Sequence, residues 1–217
     1  MKGTLACLLG FACALPGPAH ARAADDGAPA QVSRLALPFT GVWGVIQGFG
    51  AGTHTGYATY ALDFVPAVRA GARLPPRGAP LTRFACFGRP VLAPADGTVV
   101  RVAAGARDWP AHVKGHDEGN YVILEHAPRE YTELRHLRAG SVRVVVGAHV
   151  RRGDVVGACG NSGNAGTPHV HLGLLSSIDP ITTRPLAFER YEIKDGDAWR
   201  APAAPLRTGD IVRPVPW

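Results

Sequence analysis

The chain is expected to fold as an all-β protein, a single mostly antiparallel β-sheet or barrel-like domain with long loops and very little helix. Three observations predict this. No ten-residue stretch shows helical periodicity free of Gly or Pro. From Leu35 onward, short β-type segments alternate with Gly, Pro, Asn and Asp punctuation. Between Val142 and Gly157, apolar residues step between exposed charges with Gly-Asp turns at short intervals, as in barrel-like β modules.

Taken in order, residues 1–23 read as a signal peptide. Lys2 supplies a short positive region, and Leu5–Leu15 is an apolar run too short to span a bilayer. Pro16-Gly17-Pro18 breaks that run, and either Ala19-His20-Ala21 or Ala21-Arg22-Ala23 fits a small-x-small cleavage site. Residues 24–34 are small and polar, as in a linker. The folded domain is expected over 35–188, with strands in Phe39–Phe49, Tyr60–Val65, Tyr121–His126 and Glu133–Leu137. The run Pro90–Val102 reads as strand, turn, strand around Ala95-Asp96-Gly97. Residues 66–87 are rich in Pro, Gly and Arg, lack periodicity and read as an insertion loop. Residues 189–217 are expected to wrap the surface.

After cleavage roughly 195 residues remain, enough for one domain with a sizeable core. No further apolar run is long enough to cross a membrane. The formal charge is +6 and the isoelectric point about 9.5. Arginines are spread along the chain without an aromatic-interleaved basic patch, which argues against a nucleic-acid partner. A basic exported protein would be drawn to polyanionic envelope material; an Arg- and Ala-rich composition accounts for the charge equally well. Outside the signal segment only Cys86 and Cys159 remain. An even pair in an oxidising compartment implies a single disulfide, with two buried thiols as the alternative. Without CxxC spacing, the two cysteines do not suggest a zinc site.

The chemistry concentrates in His169-Val170-His171, which follows the turn-rich Gly160-Asn161-Ser162-Gly163-Asn164 stretch. On a strand, residues two apart share a face, so both imidazoles project together while Val170 faces the other way. Such a pair arises by chance often enough to be weak alone. Its weight comes from His54 and Asp63 upstream, since two histidines and one carboxylate make a tripod for a catalytic zinc with an open position.

These segments together resemble the lysostaphin-type (LytM-like) zinc peptidases, which cut peptide cross-links in bacterial peptidoglycan. The resemblance runs from about Gly48 to Leu174. It is carried by His54-Thr55-Gly56 with Tyr60-Ala61-Leu62-Asp63-Phe64, by Pro90–Gly97, by Gly119–His126, and by His136-Leu137. It continues through Gly153–Gly157, Gly160–Gly163 and Pro168-His169-Val170-His171. It implies that His54, Asp63 and His171 bind one Zn²⁺ per chain. It also implies that His136 and His169 flank the reacting water as proton-transfer groups, either of them serving as the base. The expected substrate is peptidoglycan, the expected place of action the periplasm or the exterior, and the expected working unit a monomer with envelope proteins as further partners. A hydrolytically silent LytM-like domain that binds the wall or activates an amidase is the alternative; retention of every ligand position favours the enzyme.

The chain departs from the family pattern in three places. Eight residues separate His54 from Asp63 where the shortest members have three, Leu134 stands where a Tyr is usual, and 66–87 is additional. Among the other histidines, His112 and His116 read as loop residues, with a place on a substrate rim as the lesser alternative, and His126 and His149 as structural or solvated. Asn120 reads either as a strand or substrate-carbonyl clamp or as a turn former.

Overall fold

The structure, a computed structural model, describes residues 30–49, 54–68, 73–203 and 205–217. The expected signal peptide and the first part of the linker lie outside the described residues. Thirteen strands follow one another among the described residues: β1 (Trp43–Gln47), β2 (Leu62–Pro66), β3 (Pro90–Leu92), β4 (Gly97–Ala103), β5 (Asn120–Ala127), β6 (Glu130–Leu137), β7 (His149–Val150), β8 (Val155–Ala158), β9 (Val170–Ile178), β10 (Ile181–Arg184), β11 (Tyr191–Asp195), β12 (Ala198–Arg200) and β13 (Ile211–Pro214). The helical content among the described residues is two 3₁₀ turns, Gly56–Ala58 and Leu81–Arg83. The chain is therefore all-β, as its turn-punctuated sequence predicts.

Eleven strands form one antiparallel sheet in the order β12-β11-β13-β1-β2-β9-β6-β5-β4-β7, with β10 also paired to β9. The sheet is open, not closed into a barrel. β3 and β8 form a separate two-stranded ribbon. Alternation sorts the side chains. Leu62 and Phe64 of β2, Leu134 of β6, and Val170, Leu172 and Leu174 of β9 turn to one face. There they pack with Val91 and Val156 of the ribbon and with Leu35, Leu37, Phe39 and Phe188. Burying side chains of this size contributes about 1.5–3 kcal/mol each. The residues between them, Asp63 and His171 above all, are thereby committed to the opposite face.

Several expectations are refined. Residues 189–217 do not lie over the surface as irregular chain: β11, β12 and β13 extend the sheet beyond β1. They are short, and their outward faces are polar, so their alternation is faint. The end of the linker is held rather than free. The Glu130 carboxylate accepts the Val32 and Ser33 amides at 2.6 and 2.7 Å and also the Ser33 hydroxyl. Within 66–87, Phe84 and Cys86 are buried, and Cys86 is disulfide-bonded to Cys159. That bond ties the insertion to the start of the turn leading into β9. No helix among the described residues is long and apolar enough to cross a membrane.

Candidate metal centre

Asp63 and His171 are register partners on neighbouring strands β2 and β9. His171 Nδ1 lies 2.9 Å from Asp63 Oδ1, and both residues are buried. His54 reaches the same carboxylate from a loop. The eight residues between His54 and Asp63 fold into the Gly56–Ala58 3₁₀ turn, in which Gly56 has φ +62°, a left-handed conformation that glycine adopts without strain. The Thr183 hydroxyl on β10 donates to the Tyr57 carbonyl at 2.5 Å and accepts the Tyr60 amide at 3.3 Å, fastening the turn to the sheet. His54 Nδ1 then faces the Ala61 carbonyl at 3.1 Å, and Nε2 lies 3.3 Å from Asp63 Oδ2. The long spacing is accommodated by a compact turn.

His169 sits just ahead of β9 with Nε2 3.5 Å from Asp63 Oδ2. His136 arrives through an irregularity in β6. Asn120 pairs with Leu137 and Val122 with Leu134, so Tyr121 on β5 faces two residues, Arg135 and His136. This is a β-bulge, and His136 takes φ +61° to make it. Leu134 and Leu137 both enter the core, while the His136 ring stands 4.7 Å from that of His169 and 5.7 Å from that of His171, centroid to centroid. All five residues expected from the sequence therefore meet at one place.

The donor atoms of His54, Asp63 and His171 lie within 4.8 Å of one another. Two imidazoles and one carboxylate are the donor set of a mononuclear zinc site with an open position, and the cluster fits a single divalent cation. Its electrostatics agree. Burial alone would raise the Asp63 carboxyl, but the His169 charge and hydrogen bonds from His171 and His54 hold it well below the usual carboxylate range. Burial would lower His54, yet its hydrogen bond to Asp63, the Asp63 charge and the Ala61 carbonyl raise it above the ordinary imidazole value. A buried carboxylate here draws positive charge, as a proton or as a metal ion.

His136 and His169 behave differently. Burial is the main cause pushing both down; for His136 the neighbouring His169 and His171 charges add to it, and the shift is large. Each donates Nδ1–H to a backbone carbonyl, His136 to Ser162 at 2.9 Å and His169 to Thr167 at 2.8 Å. These contacts leave each Nε2 as the free lone pair of a neutral ring. The Ser162 turn is itself held by its hydroxyl, which donates to the Leu137 carbonyl at 2.7 Å and accepts the Asn120 amide at 2.9 Å. Asn120 is accordingly a strand clamp: its side-chain amide also ties the Ala106 backbone to the Leu137 carbonyl.

Two neighbours escaped the sequence reading. Gln47, the last residue of β1, donates from Nε2 to Asp63 Oδ2 at 2.6 Å. Arg135 lies directly opposite His171, ion-paired to the buried Glu133, with its guanidinium 4.7 Å over the Tyr121 ring. Neither belongs to a spaced motif; a Gln ahead of Gly48-Phe49 at a strand end was the faint signal for the first. The remaining histidines stand apart. His112 Nε2 contacts the Pro75 carbonyl at 2.7 Å, joining the insertion to its loop. His116 packs against Trp109. His126 bridges the Asp96 carbonyl and Thr132, and His149 contacts Thr98.

Residues 81–182 match the profile described as peptidase family M23, a span that includes His136, His169 and His171 but begins after His54 and Asp63. An uncharacterized metalloprotease of Haemophilus influenzae is 37% identical over 100 residues, 45% of this chain and 19% of the relative. The peptidoglycan DD-endopeptidase ShyA of Vibrio cholerae is 33% identical over 95 residues, 44% of this chain and 19% of the relative. The aligned stretch thus spans about a fifth of the length of these curated relatives. Among solved structures, the catalytic domain of the prophage-encoded M23 protein EnpA from Enterococcus faecalis is 20% identical, covering 70% of this chain and 94% of that one with a TM-score of 0.48.

Proposed function

We propose, from the match of residues 81–182 to peptidase family M23, that this protein is an exported zinc endopeptidase that hydrolyses peptide bonds in peptidoglycan stems or cross-bridges. One observation carries the reading. His54 and Asp63, which lie outside the matched span, are folded against His171 so that their donor atoms fall within 4.8 Å of one another. A complete set of donors is thus present beside two neutral, buried histidines. Peptidoglycan as the substrate is supported by the name of the V. cholerae relative, and export by the signal-peptide pattern read in the sequence of residues 1–23.

His54, Asp63 and His171 would hold one Zn²⁺ per chain, which supplies Lewis acidity and acidifies a water molecule to a pKa near ~7. The chain's own groups do the rest. His136 and His169 present unprotonated Nε2 atoms to the same space, and one of them takes the proton of the attacking water. The histidine that takes the proton then carries it on Nε2 and delivers it to the leaving amine. The pair's low proton affinity keeps a neutral base available at ordinary pH. The Ser162 and Thr167 carbonyls fix which nitrogen does this.

The test is incubation of the mature protein with intact sacculi, with and without a zinc chelator, and mass spectrometry of the released fragments. New amino termini within stem or bridge peptides, abolished by chelation, are expected. A zinc-loaded protein that releases nothing would leave a wall-binding role instead.

A further inference from the structure

We propose that Gln47 is a positioning residue of the metal centre, holding the Asp63 carboxylate in a one-oxygen orientation towards the ion. The inference rests on the reading of Asp63 as a zinc ligand. β1 and β2 pair Val45 with Phe64 and Gln47 with Asp63, leaving Ile46 as the extra residue of a bulge. Under strict alternation Gln47 would follow Trp43 and Val45 into the apolar core. The bulge turns it to the opposite face, directly beside Asp63. A metal-bound carboxylate is ionised and accepts only, so the 2.6 Å contact with Oδ2 is donated by the Gln47 amide. A strong hydrogen bond on Oδ2 competes with a second metal contact from that oxygen and fixes the plane of the carboxylate.

Gln47 is also denied freedom to withdraw. The Val45 amide donates to the Asp210 carbonyl at 2.8 Å, Gly48 to the Thr208 hydroxyl at 3.0 Å, and Phe49 to the Leu206 carbonyl at 3.0 Å. At Gly48 a Cβ would come within 2.5 Å of the Arg207 and Thr208 backbone, so the C-terminal segment lies flush against the residue that follows Gln47. That segment, outside the span matched to the family, therefore serves as the backing of the carboxylate ligand.

The experiment compares zinc affinity by chelator competition in the wild type, Gln47→Met, Gln47→Ala and Ile46→Ala. It is paired with the visible absorption of each cobalt-saturated protein and thermal unfolding of each metal-free protein. Met preserves volume without a donor, and Ala removes any overpacking that Met introduces. Zinc affinity 10–100-fold weaker in both Gln47 variants is expected, with Ile46→Ala unchanged and metal-free unfolding unaltered. At cobalt saturation the visible band should weaken in the Gln47 variants as the released carboxylate chelates and coordination number rises, an effect that a merely structural role would not produce. Wild-type affinity and spectrum in both Gln47 variants would overturn this inference alone. Wild-type protein that takes up neither metal would overturn the zinc reading itself, and this inference with it.

Discussion

The Ser162 carbonyl accepts a hydrogen bond from His136 Nδ1 at 2.9 Å, and Ser162 lies in the turn that delivers His169 and His171 to β9. One residue thus orients a histidine from β6 while belonging to the segment that positions the other two. The proposed metal ligands and the proposed proton-transfer pair are connected through this turn, yet they make separable predictions.

Asp63→Ala and His171→Ala should each lower zinc occupancy from one ion per chain, since each removes one of three protein ligands and leaves two. Elemental analysis of the purified variants decides this. Full zinc in both would end the ligand assignment.

His136→Ala and His169→Ala should keep zinc and lose hydrolysis by about 10²–10⁴-fold, the usual worth of a positioned proton-transfer group. Metal content and turnover are measured on the same preparations. Loss of metal from His169→Ala would mean that ligand and proton-transfer roles are exchanged within the His169/His171 pair.

The bond between Cys86 and Cys159 closes a sequence separation of 73 residues, for which chain entropy gives a contribution of about 4 kcal/mol. Cys86→Ser with Cys159→Ser should lower the denaturation midpoint accordingly. Non-reducing peptide mapping of protein recovered from the envelope should show the linked peptides, and two alkylatable thiols there would contradict it.

Glu130 sets an acid dependence of stability. Burial would raise its carboxyl, but the Ser33 hydroxyl, the Val32 and Ser33 amides and the Arg184 charge together hold it below the ordinary range. A carboxyl lowered on folding contributes stability that is complete above its unfolded value of ~4.3 and is lost as pH falls through the folded value. Glu130→Gln should therefore cost about 1.5–3 kcal/mol near neutrality. Its deficit relative to the wild type should shrink in strong acid. Thermal unfolding across pH reads this, and a deficit that does not change with pH would exclude the carboxylate as its origin.

The legible parts of this chain were those governed by local periodicity. Val170 does face the core while His169 and His171 share the other side, because alternation is a property of the strand itself. The His54–Asp63 spacing was harder, since only tertiary fastening by Thr183 determines how a loop of that length closes. β11 to β13 were missed because short strands with solvated outer faces, between prolines and glycines, carry little pattern. The bulges were beyond reach. Which strand takes an extra residue depends on pairing with β2 and β5, and nothing local around Ile46 or His136 announces it.

Those two bulges let one strand carry a residue more than its partner while both side chains stay on the site face. Each adds one residue to one strand, so removing a single codon at Ile46 or at Arg135 would restore regular pairing and leave the sheet hydrogen-bonded. The same deletion would leave Gln47 directly after Val45 and His136 directly after Leu134, each still on the face opposite the core. Which face each side chain takes is thus a matter of pairing parity, and a single-codon loss at either bulge would change the local bend of the strand while leaving the side of the sheet unchanged.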